Sequence, residues 1–367
     1  MRRKNRIAVV VFSIFLTCAV GLGETLRVVD YNIASAASGG APRTGLSTIL
    51  QGIGNESVGG DAQPIDLLAL EEVQTQATTT QDVVSLLNST YGAGVYSRGT
   101  LNGDSTGAGT QGIVFNTHVL SLIDEKTVGT ATTTGQARQT LRYEFQPIGA
   151  PASSDFYVYV SHWKAADDAA DAARRNLEAT VIRADADALG ASAHIIYTGD
   201  YNVYRGSESA VQTMLAAGNG QANDPANQIG SWHDNASFAA IDTQAPAVTP
   251  PSALTGGGVD DRFDFQLVSN SVMNANSAGL SYISGTYHTF GNNGTTFNGS
   301  VTDASNTALA GLPDRSSVLE DLTSVTDHLP VVADYSLVVP EPVVCFELLA
   351  LAILLRRFGR DSAIIHS

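Results

Sequence analysis

The sequence predicts an α/β domain in which packed β-sheets carry helices on their outer faces. Three observations lead there. Apolar runs of strand length recur along the chain, helical patterning is confined to a few dispersed segments, and no internal repeat divides it. In order, TLRVVDYNI (25–33) is apolar at its centre and reads as a buried strand. A Gly/Ala/Ser stretch follows, with a short helix near Leu46 to Ile53. IDLLALEEV (65–73) is a second buried strand, closing on two acids, and QDVVSLLNSTY (81–91) has helical character. GDSTGAGTQGIVFNT (103–117) is a Gly-rich loop running into a strand. TLRYEF (140–145) and DFYVYVSHW (155–163) alternate with the strand period of two. DDAADAARRNLEATVIRADADAL (167–189), rich in Ala with apolar residues at helical spacing, is the clearest helix. HIIYT (194–198) and RFDFQLVS (262–269) are strands, with a Pro/Gly/Asn-rich connection over roughly 218–258 between them. Residues 270–325 are rich in Asn, Gly, Ser and Thr and read as extended surface loops, with a short strand at Leu280 to Ser284. LPVVADYSLV (329–338) is the last strand.

The chain has 367 residues, 43% hydrophobic and 15% charged, enough for one large core or two modest ones. Its start, MRRKNRIAVVVFSIFLTCAVGLG, has a basic head, an apolar run and small residues near Gly21 and Gly23, so residues 1–23 are expected to be a secretory signal peptide. Cys18 and Cys345 both lie in terminal apolar segments. The folded part, 24–339, therefore has neither a disulfide framework nor a thiolate metal site. Any metal falls to Asp, Glu, Asn or His, which favours a hard cation.

Net charge is −16, and residues 24–339 alone carry 13 basic against 33 acidic residues. That balance argues against tight, sequence-blind nucleic-acid binding. It leaves room for a nuclease whose contacts are few and metal-assisted. Near the end, Pro340-Glu341-Pro342 precedes an apolar run to Leu355 and the pair Arg356-Arg357. The run is short for a membrane-spanning helix, which needs about 20 residues. Its order and spacing resemble the bacterial PEP-CTERM sorting signal over 340–360, followed by a tail at 361–367. Glu347 inside the run and the residues after the Arg pair depart from that pattern. The resemblance implies export to the cell envelope or medium and processing by an exosortase-type membrane enzyme.

Polar residues gather at the strand ends. Asn32 closes the first strand, Glu72 the second and His162 the DFYVYV strand, while Asp200 and Asn202 follow HIIYT. Asp264 lies within RFDF, and Asp327-His328 precede the last strand. If the chain stays extended past Thr198, Asp200 and Asn202 face the same side. Carboxylates hold a divalent cation, imidazoles handle protons, and Asn and Arg hold phosphoryl oxygens.

In order, VVDYNI, LLALEEV, VYVSHW, YTGDYNVY, DRFDFQLVS and VTDHLPVVA resemble the motifs of the endonuclease/exonuclease/phosphatase superfamily over about residues 25–338. The specific part is GDYN with the later Asp-His-Leu-Pro. The resemblance implies a four-layer α/β/β/α sandwich of two packed mixed sheets, and a metal-dependent phosphoric ester hydrolase acting by in-line water attack. It places Asn32, Glu72 and Asp327 in the metal shell, with Glu71 the rival of Glu72. His328 becomes a phosphate-side imidazole oriented by Asp264, and His162 a second one. Asp200 would activate water or protonate the leaving group, Asn202 would position a phosphate oxygen, and Arg138 (or Arg142) would bind phosphate. Where some relatives have a Tyr, Thr110 and Gln111 stand. The implied metal is Mg²⁺, with Mn²⁺ or Ca²⁺ as alternatives. The expected substrate is a nucleic-acid phosphodiester acted on by a monomer. A phosphomonoester, a sphingomyelinase-like lipid substrate and a non-catalytic envelope role are the competing readings.

Overall fold

The computed structural model describes residues 24–104, 107–130, 138–251, 253–274 and 279–338. The expected signal peptide and sorting signal lie outside them. In chain order the first half holds β1 (Glu24–Asn32), α1 (Leu46–Asn55), β2 (Ser57–Val58), β3 (Asp61–Ala62), β4 (Leu67–Val73), α2 (Gln81–Tyr91), β5 (Tyr96–Arg98), β6 (Thr110–Asn116) and β7 (Leu120–Val128). There follow β8 (Thr140–Pro147), β9 (Phe156–His162), α3 (Ala169–Leu189), β10 (His194–Asp200), α4 (Ser209–Leu215), β11 (Ala222–Asn223) and β12 (Asp264–Ser269). The chain closes with α5 (Asn270–Met273), β13 (Gly279–Tyr282), β14 (His288–Thr289), α6 (Arg315–Val325) and β15 (Val331–Val338).

Two mixed sheets carry the architecture. One runs β13-β15-β1-β4-β6-β5, with β14 also on β15; the other runs β11-β12-β10-β9-β8-β7. Alternation along each strand sorts its side chains into layers. On β1, Leu26 and Val28 enter the core between the sheets, where they meet Val158, Val160, Ile196 and Val268 of the second sheet. Val29, Tyr31 and Ile33 face the other way and pack with Leu50 and Ile53 of α1, Val83 of α2 and Leu322 of α6. Tyr159, Ile195 and Tyr197 point outward from the second sheet, onto Ala179 and Ile182 of α3 and Met214 of α4. The result is the four-layer α/β/β/α sandwich that the resemblance implied.

Topology positions the site. The centre of each sheet is a parallel pair: β1 with β4, and β9 with β10. Each pair is flanked by an antiparallel strand, β15 beside β1 and β12 beside β10. The carboxyl ends of four central strands and the approaches to two more thus open at one mouth between the sheets. The strand-end residues collected from sequence come together there because the chain returns to it six times.

Two expectations about elements need correction. Residues 270–325 are not only surface loops. They contain α6 and the buried side chains Phe290, Val301 and Leu312. Asn292 Nδ2 donates to the carbonyls of Ala239 (2.6 Å) and Asp242 (2.9 Å), and Asn306 Nδ2 to those of Val301 (2.6 Å) and Gly291 (3.0 Å). Buried carboxamides here satisfy backbone groups that a strand ladder would otherwise serve, so the polar composition misleads. Strand β7 was not anticipated. It is an edge strand in whose middle Asp124 and Lys126 are exposed, and such charge masks the alternation.

Candidate active site

Asp200 Oδ2 is the centre of the mouth. It accepts from Asn32 Nδ2 at 3.1 Å and lies 3.5 Å from His162 Nε2 and 3.7 Å from His328 Nε2. Asn32 belongs to one sheet and Asp200 to the other, so this bond closes the sandwich at the site. Asn32 Nδ2 also donates to Glu72 Oε1 (3.3 Å), and its Oδ1 accepts from the Ala34 N–H (3.0 Å). Thr326 ties the final segment in: its hydroxyl donates to the Asn32 carbonyl (2.7 Å) and accepts from the His328 N–H (3.2 Å).

The glycine of Gly-Asp has a steric reason. Gly199 has φ +136°, and a Cβ there would fall 1.9 Å from the Ser161 carbonyl oxygen. Only glycine lets β10 run this close to β9, whose register sets Asp200 opposite His162. The strand ends at Asp200, and Asn202 has φ +49°. The extended chain assumed from sequence therefore stops short of Asn202. Its side chain reaches the mouth by another route, Nδ2 donating to the Trp163 carbonyl (3.1 Å), while its N–H donates to Asp200 Oδ1 (3.0 Å).

The paired acids at the end of β4 separate in the same local way. The ladder with β6 shifts register between Leu70 and Val73, and Glu72 takes φ +55°. Glu71 continues the inward row of Leu67 and Ala69 and is fully buried, whereas Glu72 turns to the mouth and meets Asn32. Beneath the site Glu71 lies beside the equally buried Asp30. Burial is the main cause that pushes both carboxyls well above the usual range, reinforced by the charge of Asp30 on Glu71 and of Asp264 on Asp30.

His328 is held from behind. Its Nδ1 lies 2.8 and 3.1 Å from the two oxygens of fully buried Asp264. Burial opposes a charged imidazole, but Asp264 and then Asp200 outweigh it and hold His328 well above the ordinary histidine pKa. His162 goes the other way: burial first, then the charges of Arg138 and His328, push it well below. The two imidazoles of the mouth are thus biased in opposite directions, His328 toward its charged form and His162 toward its neutral one, which suits acid and base steps. Asp200 is pushed up to about 7, chiefly by burial and then by Asp264 and Glu72, against the pull of His328 and Asn32.

Arg138 stands at the rim, its Nη1 donating to the carbonyls of Trp163 (3.0 Å) and His162 (3.4 Å). Arg142, the alternative, lies outside the mouth: it binds Asp185 at 2.7 Å on the outer face of the second sheet. Asp327 accepts from the Thr255 N–H (2.8 Å), and its charge helps raise the Glu72 pKa, behind burial as the main cause. Thus Asn32, Glu72, His162, Asp200, Asn202, Asp264, Asp327, His328 and Arg138 all lie in or beside one mouth.

Solved structures share this arrangement of layers. D. rerio TDP2 complexed with a single-strand DNA product matches at a TM-score of 0.52 and 15% identity, over 85% of this chain and 99% of that one. C. elegans TDP2 matches at 0.51 and 12%, over 86% of this chain and 76% of that one. The chain has the TDP2 fold. An endonuclease/exonuclease/phosphatase family protein from Bacteroides thetaiotaomicron is also among the structural neighbours, at 0.47 and 13%, over 86% of this chain and 98% of that one. No family model and no curated protein matches the sequence.

Within this TDP2-like fold the donors at the mouth suit a hard cation. Asp200, Asp264 and His328 offer ligand atoms that lie within 4.8 Å of one another, a grouping that the sequence reading had divided into catalytic roles. Glu72 and Asp327 add carboxylate oxygens beside it, and the described residues include no thiol. Sequence reasoning missed one residue outright. Gln244, in the Pro/Gly/Asn-rich connection, places its carboxamide 3.0 Å from His328 Nε2. No periodicity or motif marks it, since it is carried by loop backbone rather than a strand.

Proposed function

We propose that the protein is a divalent-metal-dependent phosphodiesterase that cleaves nucleic acid by in-line attack of water. The observation that carries this reading is the convergence on Asp200 Oδ2 of the His162 and His328 imidazoles and the Asn32 amide, with further carboxylates alongside. Supporting it is the fold shared with a TDP2 that was crystallised with a single-strand DNA product. Glu72, Asp327 and Asn32 would hold the cation, Mg²⁺ by donor chemistry. When bound, it neutralises charge on the phosphate and its departing oxygen. The chain's own residues supply the rest. Asp200, poised near neutrality, exchanges a proton with water or the leaving group. His328, His162, Asn202 and Arg138 surround the space where phosphoryl oxygens gain charge.

The acidic balance of 24–339 favours short or single-stranded substrates over an extended duplex. It equally favours a small phosphate ester, the second reading. The sphingomyelinase-like reading has less support: Phe290 is buried, and Tyr282 and Tyr287 pack on the core between the sheets. From the two terminal segments we also infer that the protein is exported to the envelope or medium and is processed by an exosortase-type enzyme. The test of activity is parallel assay of single-stranded DNA, plasmid DNA, RNA, bis(4-nitrophenyl) phosphate, 4-nitrophenyl phosphate and sphingomyelin with Mg²⁺. Chelator-sensitive cleavage of nucleic acid supports the reading. Turnover of the monoester or lipid alone replaces it.

A further inference from the structure

We propose that Gln244 is a further catalytic residue, donating a hydrogen bond to a non-bridging oxygen of the scissile phosphate. The inference rests on the phosphodiesterase reading and adds a group that no motif supplied.

Gln244 is built into place rather than left on a free loop. Its N–H donates to the Asp261 carbonyl (3.0 Å), and its own carbonyl accepts from the N–H groups of Asp260 (3.0 Å) and Asp261 (3.1 Å). Its neighbour Thr243 is fully buried. The Thr243 hydroxyl accepts from the N–H groups of Phe263 (3.0 Å) and Asp264 (3.2 Å), and its carbonyl accepts from the Leu329 N–H (2.7 Å). The Thr243–Gln244 backbone is thus clamped between the residue that orients His328 and the residue that follows it.

From that position the side chain reaches His328 Nε2, the imidazole nitrogen turned toward Asp200. A carboxamide has two N–H donors and one acceptor oxygen. Among the described residues the contact with His328 is the only hydrogen bond of this side chain. If Nε2 is bare, one N–H serves it and the other is free. If Nε2 carries a proton, the amide turns over so that its oxygen, in place of its nitrogen, serves the ring, and both N–H groups are free. Either way a donor remains beside the nitrogen that contacts phosphate, and the half-buried side chain opens on the mouth. A phosphate oxygen seated at His328 Nε2 lies within reach of this amide. Donors fixed where charge develops act without reorganisation.

The test is steady-state hydrolysis of bis(4-nitrophenyl) phosphate with Mg²⁺ by full-length wild type, Q244A and Q244E, each first checked for its melting temperature. Q244A is expected to lose about 100-fold in kcat with KM changed less than about threefold, the signature of a contact made in the transition state. Q244E keeps an acceptor for His328 but has no donor and adds charge repelling phosphate, so it should lose at least as much. Q244E within about threefold of wild type would overturn the proposal and leave Gln244 a mere support for the imidazole. So would an unaffected Q244A. A folded wild type without Mg²⁺-dependent turnover of this diester or of nucleic acid would instead overturn the phosphodiesterase reading, and the role of Gln244 with it.

Discussion

Asp264→Asn is the most informative single change behind the site. Asp264 is fully buried and holds His328 Nδ1 through both oxygens, at 2.8 and 3.1 Å. An amide of the same shape keeps one acceptor and loses the charge. A hydrogen bond to a charged group is worth about 1.5–3 kcal/mol, about twice a neutral one. The lost charge also removes the leading cause that keeps His328 protonated. Together with imprecise aim of the ring, the expected fall in kcat/KM is about 100- to 1000-fold, or roughly 3–4 kcal/mol. The alkaline limb of the pH–rate profile should move to lower pH, because His328 then releases its proton earlier. Stability should change little, since the same substitution relieves repulsion of Asp30 and Asp200 by Asp264. The assay is diester hydrolysis across pH 5–9 beside thermal unfolding. A folded variant within threefold of wild type, with an unmoved alkaline limb, would refute the role given to the pair.

Adjacent acids should behave oppositely: E72Q is expected to lose at least about 100-fold in Mg²⁺-dependent activity, and E71Q less than about threefold, because only Glu72 leaves the core. Equal losses in both would contradict the bulge as the device that selects between them. Gly199→Ala is expected to cost more than about 3 kcal/mol in urea unfolding, since its Cβ meets backbone oxygen and not a movable side chain. A near-neutral result would show that β9 and β10 are free to part. Asp242 is buried with both carboxyl oxygens lacking a partner among the described residues, and burial, then Asp261 and Asp260, push it up to about 8. Its folded pKa exceeds the unfolded one, so its contribution is full below about pH 4 and is lost as pH rises through about 8. Asp242→Asn should therefore raise the urea midpoint at pH 9 and not at pH 5; equal shifts at both would refute the assignment.

Much of this site was legible because its residues are bound to strand ends. VVDYN, LLALEEV, VYVSHW and the GDYN turn each join an apolar run to a polar terminus, and a sandwich with parallel central pairs brings such termini together. The sequence could not choose between Glu71 and Glu72 from alternation, because the choice is made by a bulge and a positive φ. It misjudged the path to Asn202 for the same reason. Gln244 and Thr243 were invisible because they are held by loop-to-strand backbone bonds that leave no periodic trace. Residues 270–325 looked like surface because buried Asn side chains do the work of a backbone ladder there.

The most direct measurement is cleavage of a fluorescent single-stranded oligonucleotide by the purified protein, with Mg²⁺, with excess chelator, and with the Glu72→Gln and His328→Ala variants. Cleavage that needs the metal and is lost in both folded variants is the expected result. Cleavage that survives chelation or either substitution, or a folded wild type that leaves every phosphate ester intact, would contradict it.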